Sequence, residues 1–397
     1  VMLSDLVTQW KAPRTLWVTH RWELVQQSAE ELRSDGHDVG IYSAKLTENS
    51  DAPVIVASWQ TLLARPSERP HADLLIVDET HHAVAPEFRT VIDHYSRLLK
   101  CGATATPSRG DGKPLGDLFD ALVIAAQYSE LIKEGFIVPC RVRRPAEPLG
   151  SDLAQEPLAA YLQYAAGKSC IAFCRSIEDA EKLAASLSAA GHPAMCVSSR
   201  TPGPMRDHII EAFKTGDIRV LTNDSVLTEG FNHPPTQCCL LASGCSSTGS
   251  YLQKVGRVLR ACEGKTEALL IDLPGASWIH GIPTEDRVYS LDGRPISSSG
   301  ALRVCVSCGY TWAPEGSSTC PSCQFTPPPV SISRPKIYDM ALEEVFAGQM
   351  TPDLAKDREW ARLRLLCKEK GWELSFALKE YTKLFSERPR MTDVTDD

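Results

Sequence analysis

"LLIVDETHH", residues 74 to 82, decides how the rest of the chain is read. Four apolar residues, with no polar residue alternating among them, run straight into Asp78, Glu79, Thr80, His81 and His82. A strand with one solvated face alternates. A continuous apolar run is what a parallel strand covered on both faces needs. In open α/β sheets, ligands bind beyond the carboxyl ends of the strands, so acids placed there are candidates for chemistry. One carboxylate can hold Mg²⁺, which takes oxygen ligands and accompanies phosphates, while its neighbour orients a water for attack. Taken alone, the stretch is also compatible with a strand that ends in solvated acids.

The same texture extends outward. "TLWVT" (15–19), "PVIVAS" (53–58) and "LKCGATATP" (99–107) read as strands, and "WELVQQSAEELRSDG" as a helix ended by Gly36. "RVRRPAEPLGSDLAQEP" (141–157) is proline-rich and charged, and reads as a linker. The pattern then restarts with "KSCIAFC" (168–174) and a helix with Ser176 as N-cap, Asp179 at the capping-box position and Gly191 as its stop. "HPAMCVSS", "IRVLTN", "QCCLLAS" and "EALLIDL" supply more strands, with "MRDHIIEAFKTG" as a helix among them. The predicted class is α/β: two tandem domains of parallel sheet flanked by helices, at 1–140 and 158–276. A Gly-, Ser- and Pro-rich linker at 277–302 follows, then a cysteine cluster at 303–326 and a helical tail at 335–390. In the tail, Gly371 separates an apolar face of Trp360, Leu363 and Leu366 from a second of Leu374, Leu378, Tyr381 and Phe385, which predicts a helical hairpin.

Composition narrows the partners. The 397 residues carry a formal charge of -8, so phosphates would be met by local patches rather than by a basic coat. Arg141, Arg143 and Arg144 form one candidate patch, and the basic residues from Lys356 to Lys370 another. No run of 18 apolar residues exists, so no membrane span is expected, and the N-terminus lacks signal-peptide features. Of 14 cysteines only four have metal-like spacing, and the others read as core thiols in a reducing, cytoplasmic setting.

Further polar groups join the acids. "GATATP" puts Thr104 and Thr106 on one face of a strand. "QKVGRVLR" puts Gln253, Arg257 and Arg260 on one face of a helix, and two guanidiniums aimed at a cleft suit a γ-phosphate transition state. A solvated basic helix is the plainer alternative. "LTEGFNHP" (227–234) is a glycine-broken turn suited to close backbone approach to a ligand.

Taken in order, these pieces resemble the superfamily 2 helicases, the DEAD/DEAH-box group, over residues 1 to 275. "DETH" (78–81) looks like motif II, "TAT" (104–106) motif III and "VTHRWELVQQ" (18–27) motif Ia. "CIAFCRSIEDAEKL" (170–183) looks like motif IV, "TEGFNHP" (228–234) motif V and "QKVGRVLR" (253–260) motif VI. The resemblance implies two RecA-like domains that use ATP and Mg²⁺. Asp78 would bind the metal and Glu79 polarise the attacking water. His81 would link the nucleotide to the second domain, with Gln253 as a partner. Thr104 and Thr106 would couple hydrolysis to domain movement. Gly230, Arg257 and Arg260 would bind nucleotide, with Arg260 as the arginine finger. Thr19, Arg21, Arg175 and Thr228 would contact nucleic acid. DNA is the preferred substrate, since the motifs are closer in style to the type III restriction and repair-helicase branch, and RNA is the alternative.

Two departures stand out. Motif V commonly has an acid where this chain has Asn232. No G-x-x-x-x-G-K-[ST] phosphate loop occurs in the sequence, although the family places one about a dozen residues before motif Ia. "VMLSDLVTQW" reads as the helix after that loop, so the chain is expected to be truncated there and to hydrolyse ATP poorly by itself. The rival functions are a restriction or nuclease motor subunit and a non-hydrolysing nucleic-acid scaffold.

Cys305, Cys308, Cys320 and Cys323 form two C-x₂-C knuckles, which predicts a four-thiolate structural Zn²⁺ ribbon. A redox pair or incidental thiols are the alternatives. Tyr310, Trp312 and Phe325 would pack that module or stack on bases. The tail around "KEKGWELSFALKEYTKLF" (368–385) is similar to one that follows the zinc module in some phage and bacterial helicases of this group.

Overall fold

The structure, a computed structural model, describes residues 7, 14–20, 22–80, 86–107, 115–228, 230–291, 303–304, 311–312, 324, 335–346 and 352–385. The chain divides into two units: 1–123 with 288–329, and 124–287 with 330–397.

The first unit is built on six strands: β1 (Thr15–Thr19), β2 (Val39–Tyr42), β3 (Thr47–Glu48), β4 (Val54–Ser58), β5 (Leu74–Val77) and β6 (Leu99–Gly102). Their order is β3-β2-β4-β1-β5-β6, parallel throughout except for β3 on β2. Alternate residues of each central strand feed opposite layers. Leu16, Val18, Leu75 and Val77 pack with Trp59, Leu62, Val91 and Ile92. Trp17, Leu74 and Ile76 pack with Val25, Ala29 and Leu32 of helix Trp22–Ser34. Burial on both faces is the physical reason these strands are continuously apolar.

The second sheet uses β7 (Cys140–Arg144), β8 (Cys170–Cys174), β9 (Ala194–Cys196), β10 (Val220–Asn223), β11 (Cys238–Ala242) and β12 (Ala268–Asp272). Two short antiparallel strands, β13 (Arg303–Val304) and β14 (Thr311–Trp312), form a separate pair. The metal-type cysteines Cys305, Cys308, Cys320 and Cys323, with Tyr310 and Phe325, lie outside the described residues. Burial pushes the thiols of Cys140, Cys174, Cys238 and Cys239 up, so these core cysteines are poor nucleophiles.

The seventh strand of this sheet comes from the predicted tail. Residues 335–340 are extended, not helical: Tyr338 donates from its amide to the Leu153 carbonyl, and Met340 to that of Ala154, both at 2.9 Å. β15 (Glu343–Phe346) then pairs antiparallel with β7 at the sheet edge, giving the order β15-β7-β12-β11-β8-β10-β9. Residues 141–144, expected in the linker, are thus an inner strand. Arg141, Arg143 and Arg144 are correspondingly engaged in the fold. Arg143 pairs with Glu344, and Arg141 reaches Glu267 at 2.8 Å and Glu344 at 3.4 Å. Arg144, 3% exposed, meets Glu343 at 3.2 Å and lies 3.6 Å over the Trp278 ring. Helices Pro352–Lys370 and Leu374–Phe385 follow and pack on Leu363, Cys367, Ala377 and Tyr381. In the second candidate patch, Arg362 pairs with Glu359 at 2.6 Å and Arg364 with Glu147 at 3.3 Å.

Deleting the Glu343 carboxylate removes the hydrogen-bonded counter-ion of a buried guanidinium, leaving it the Trp278 ring and the more distant charge of Asp272. Glu343→Ala is therefore expected to cost about 2 kcal/mol in urea unfolding. A double-mutant cycle with Arg144→Met checks it: the pair should cost less than the sum of the single changes.

Candidate functional site

In the first unit the chemistry gathers where β5 and β6 end. The Asp78 amide donates to the Val18 carbonyl at 2.9 Å, which continues the ladder one residue past β5. The chain then turns sharply, with Glu79 at φ 49°, a left-handed conformation that costs a non-glycine residue of order 1 kcal/mol. The turn brings the Glu79 amide 2.9 Å from Asp78 Oδ1. Thr80 fixes the exit: its hydroxyl donates to the Val77 carbonyl (2.8 Å) or the Ala103 carbonyl (3.1 Å), and its amide to Ala103 (2.9 Å). Gly102 makes room for this clasp, since a Cβ there would sit 2.5 Å from Thr80 Oγ1 and 2.7 Å from the Phe119 ring.

Thr104 and Thr106 do not share a strand face as expected. β6 stops at Gly102, and both threonines lie in the segment beyond it, with the Thr106 amide donating to Thr104 Oγ1 at 3.1 Å. Leaving the sheet places them at the same strand end as Asp78, linked to it through Thr80 and Ala103. His81, His82 and Arg21 lie outside the described residues. Thr19 is fully buried at the end of β1, so its side chain presents no surface to a strand.

Asp78 is pushed up from 3.8 to about 6, first by burial and then by the Glu79 charge, against the pull of the Glu79 amide and His20. A carboxylate raised by burial and by a neighbouring acid gains from the charge of a hard dication. Among the described residues no cluster of three or more His, Cys, Asp or Glu is placed to hold a metal. A Mg²⁺ here would be held by Asp78 together with phosphate and water oxygens, the mode usual for that ion.

The sign of the stability effect follows from the shift. The folded value lies above the unfolded one, so the proton favours the folded state. The penalty is absent below about pH 4, grows between 4 and 6, and is complete above 6. A shift of that size corresponds to about 3 kcal/mol, and solvent screening at the remaining exposed edge of the carboxylate lowers it to about 1–2 kcal/mol. Asp78→Asn is expected to stabilise the chain by that amount at pH 8 and not at pH 4. Urea titrations at both values check this, and an equal increment at both would refute the account.

The second unit carries the cationic groups. Helix Thr248–Leu259 is capped by Ser247, which accepts from the Ser250 amide, and buries Tyr251, Leu252, Val255, Val258 and Leu259. Gln253 and Arg257 lie half-buried one turn apart. Arg260 departs from the expected helical face: it is the C-cap, extended at φ −59° and ψ 133°, and bridges antiparallel to Ile137. The turn after β10 sits against this helix end. Asn223 Oδ1 accepts from the Leu227 amide, Thr228 follows, and Gly230 takes φ 75°, which an L side chain would strain. Arg257 Nη1 donates to the Phe231 carbonyl at 2.8 Å, and Arg260 donates to Asn232 Oδ1. Asn232, the departure from the motif V pattern, thus holds Arg260 without neutralising it. Arg175 follows β8 and lies 3.8 Å from Asp179 in an i,i+4 pair. Sequence reasoning missed Thr80 and Gly102. The only signals were a small residue at a strand end and a hydroxyl after two acids, and neither is specific.

Two family models match. The one described as type III restriction enzyme, res subunit, covers residues 2–109, and the helicase conserved C-terminal domain covers 154–262. A "51.5 kDa protein" of a Lactococcus phage (isolate 7-9) is 26% identical over 301 residues, 71% of this chain and 64% of that protein. "Putative ATP-dependent helicase IRC3" of Saccharomyces cerevisiae is 29% identical over 303 residues, 66% of this chain and 44% of that one. The chain therefore spans only part of the length of these relatives. Among solved structures, a fragment of "a putative HsdR subunit of a type I restriction enzyme" from Vibrio vulnificus YJ016 superposes with a TM-score of 0.53 at 21% identity, covering 72% of this chain and 56% of that one. That likeness speaks to the fold.

Proposed function

The chain belongs to the superfamily 2 helicases, in the branch with the type III restriction-enzyme model, and from that premise we propose that it is the motor part of an ATP-driven translocase or helicase acting on DNA. The observation that carries this reading is the division of labour between the units. A raised carboxylate beside a second acid closes one strand end, and two arginines are tethered to a glycine-broken turn in the other unit.

Asp78 would take Mg²⁺, which when bound neutralises charge on the phosphates. Glu79 would accept the proton of the attacking water. Arg257 and Arg260 would donate to the γ-phosphate oxygens as charge builds on them. Because the sequence holds no phosphate loop of the G-x-x-x-x-G-K-[ST] type, hydrolysis requires one joined to this chain. Coupling hydrolysis to movement requires that strand affinity depend on nucleotide state, since a ligand shifts an equilibrium only by its differential affinity for the two states. Thr104 and Thr106, bonded into the strand end that carries Asp78, would pass that change on. The strand would be contacted near Arg21, Arg175 and Thr228. His81 and Gln253 would complete the nucleotide site. The spacing of Cys305, Cys308, Cys320 and Cys323 supports a structural Zn²⁺.

The res-subunit match also favours a second reading, in which this motor serves a restriction-type nuclease system. Triplex displacement tests the motor itself: a protein joined to a phosphate loop should displace a third strand from duplex DNA with ATP and not with a non-hydrolysable analogue. Displacement that is independent of ATP would exclude a motor.

A further inference from the structure

We propose that Lys265 is a positioning residue for Arg260: its ammonium ties the turn at 231–236 to the end of helix Thr248–Leu259 and so fixes where the Arg260 guanidinium is delivered. The inference rests on the reading of Arg260 as a γ-phosphate ligand.

Lys265 Nζ lies within hydrogen-bond distance of four backbone carbonyls: Thr236 (2.6 Å), Pro234 (2.7 Å), Val258 (2.7 Å) and Arg260 (3.0 Å). Two belong to the turn and two to the helix end. Carbonyls at a helix C-terminus lack intrahelical partners and carry the negative end of the dipole, which attracts an ammonium, while burial pulls Lys265 down from 10.5 to about 8. An ordinary C-terminal lysine would serve the helix alone. This one also holds the segment that carries Phe231 and Asn232, the partners of Arg257 and Arg260.

The backbone of Arg260 is fixed on its other side as well. The Val138 amide donates to the Leu259 carbonyl at 2.8 Å and the Ala261 amide to the Phe136 carbonyl at 3.1 Å. Arg260 is therefore an extended residue with its flanking peptides bonded to one segment and its own carbonyl held by Lys265. Its side chain has lost the support of a helix, because the helix stops one residue earlier. A long arginine that acts by placing a planar fork depends on such fixation, and a misplacement of about 1 Å can cost about 100-fold in rate.

Lys265→Met keeps most of the aliphatic stem and removes the donors. Amide hydrogen exchange is read first, on this chain. Exchange across 230–236 and 258–262 is expected to quicken about tenfold while helix Ile177–Ala189 stays unchanged. In the phosphate-loop-joined protein, kcat should fall about 100-fold with KM for ATP within about threefold, and Lys265→Arg should recover part of kcat. An unchanged exchange pattern, or kcat within about threefold of the parent, overturns the proposal. So does a uniform rise in exchange over the whole second sheet with kcat and KM changing together, because that is what a purely structural lysine would give. If Lys265→Met does not fold, Lys265→Gln and Lys265→Arg are read by the same criteria. If the unsubstituted protein hydrolyses no ATP, the proposed function fails, while the exchange result still decides whether Lys265 holds the turn.

Discussion

Glu79→Gln should lower nucleic-acid-stimulated ATP hydrolysis by about 10³-fold while ATP still binds. Glutamine keeps the size and the hydrogen-bonding reach of the side chain and removes the proton acceptor. The backbone argues that the position is specialised: Glu79 sits at φ 49°, a conformation a glycine would adopt without strain. A strained non-glycine residue persists where the surroundings hold it, and here they do, through Asp78 Oδ1 on one side and the Thr80 clasp on the other. The substituted protein should accumulate in its ATP-bound form and grip a strand without releasing it. Single-turnover hydrolysis and equilibrium ATP binding, measured on the loop-joined protein, separate the two effects. Loss of binding together with hydrolysis would instead assign Glu79 to nucleotide affinity.

Arg260→Ala should cost about 10³-fold or more in kcat, the scale of removing an arginine that faces the transferring phosphoryl group. Arg260→Lys should not restore it, since an ammonium lacks the planar fork that matches phosphate oxygens. Folding should be affected little, because the side chain is partly exposed and its tie to Asn232 lies at the surface. Thermal unfolding of both variants checks this. A stable Arg260→Ala protein with near-parental kcat would remove Arg260 from the reaction.

The two-sheet α/β architecture was legible because parallel strands buried on both faces leave apolar blocks such as Leu74–Val77 and Cys238–Ala242. Local caps were equally readable: Ser176 accepts from the Asp179 amide at 3.1 Å, and Gly36 and Gly191 take positive φ just past their helices. What the pattern hid were effects of distant partners. β6 ends at Gly102, with Thr80 packed against that glycine, and the chain beyond leaves the sheet, so the period-two placement of Thr104 and Thr106 does not hold. Arg260 looks like one more helical position, yet it is drawn into a bridge with Ile137, far away in sequence. The basic run at 141–144 resembled a phosphate patch in a linker, whereas pairing with β12 on one side and with the strand that carries Glu343 and Glu344 on the other makes it an inner strand. Charge complementarity across some two hundred residues carries no local signature. Lys265 is hidden for the same reason, since its partners are backbone carbonyls, which every residue type offers.

The most direct measurement is steady-state ATP hydrolysis by the chain joined to a phosphate loop, with and without single-stranded DNA, beside its Glu79→Gln variant. The account predicts turnover that rises at least about tenfold with DNA and vanishes in the variant. If neither DNA nor RNA elicits hydrolysis while strands still bind, the chain is a nucleic-acid-binding scaffold and the motor reading is contradicted.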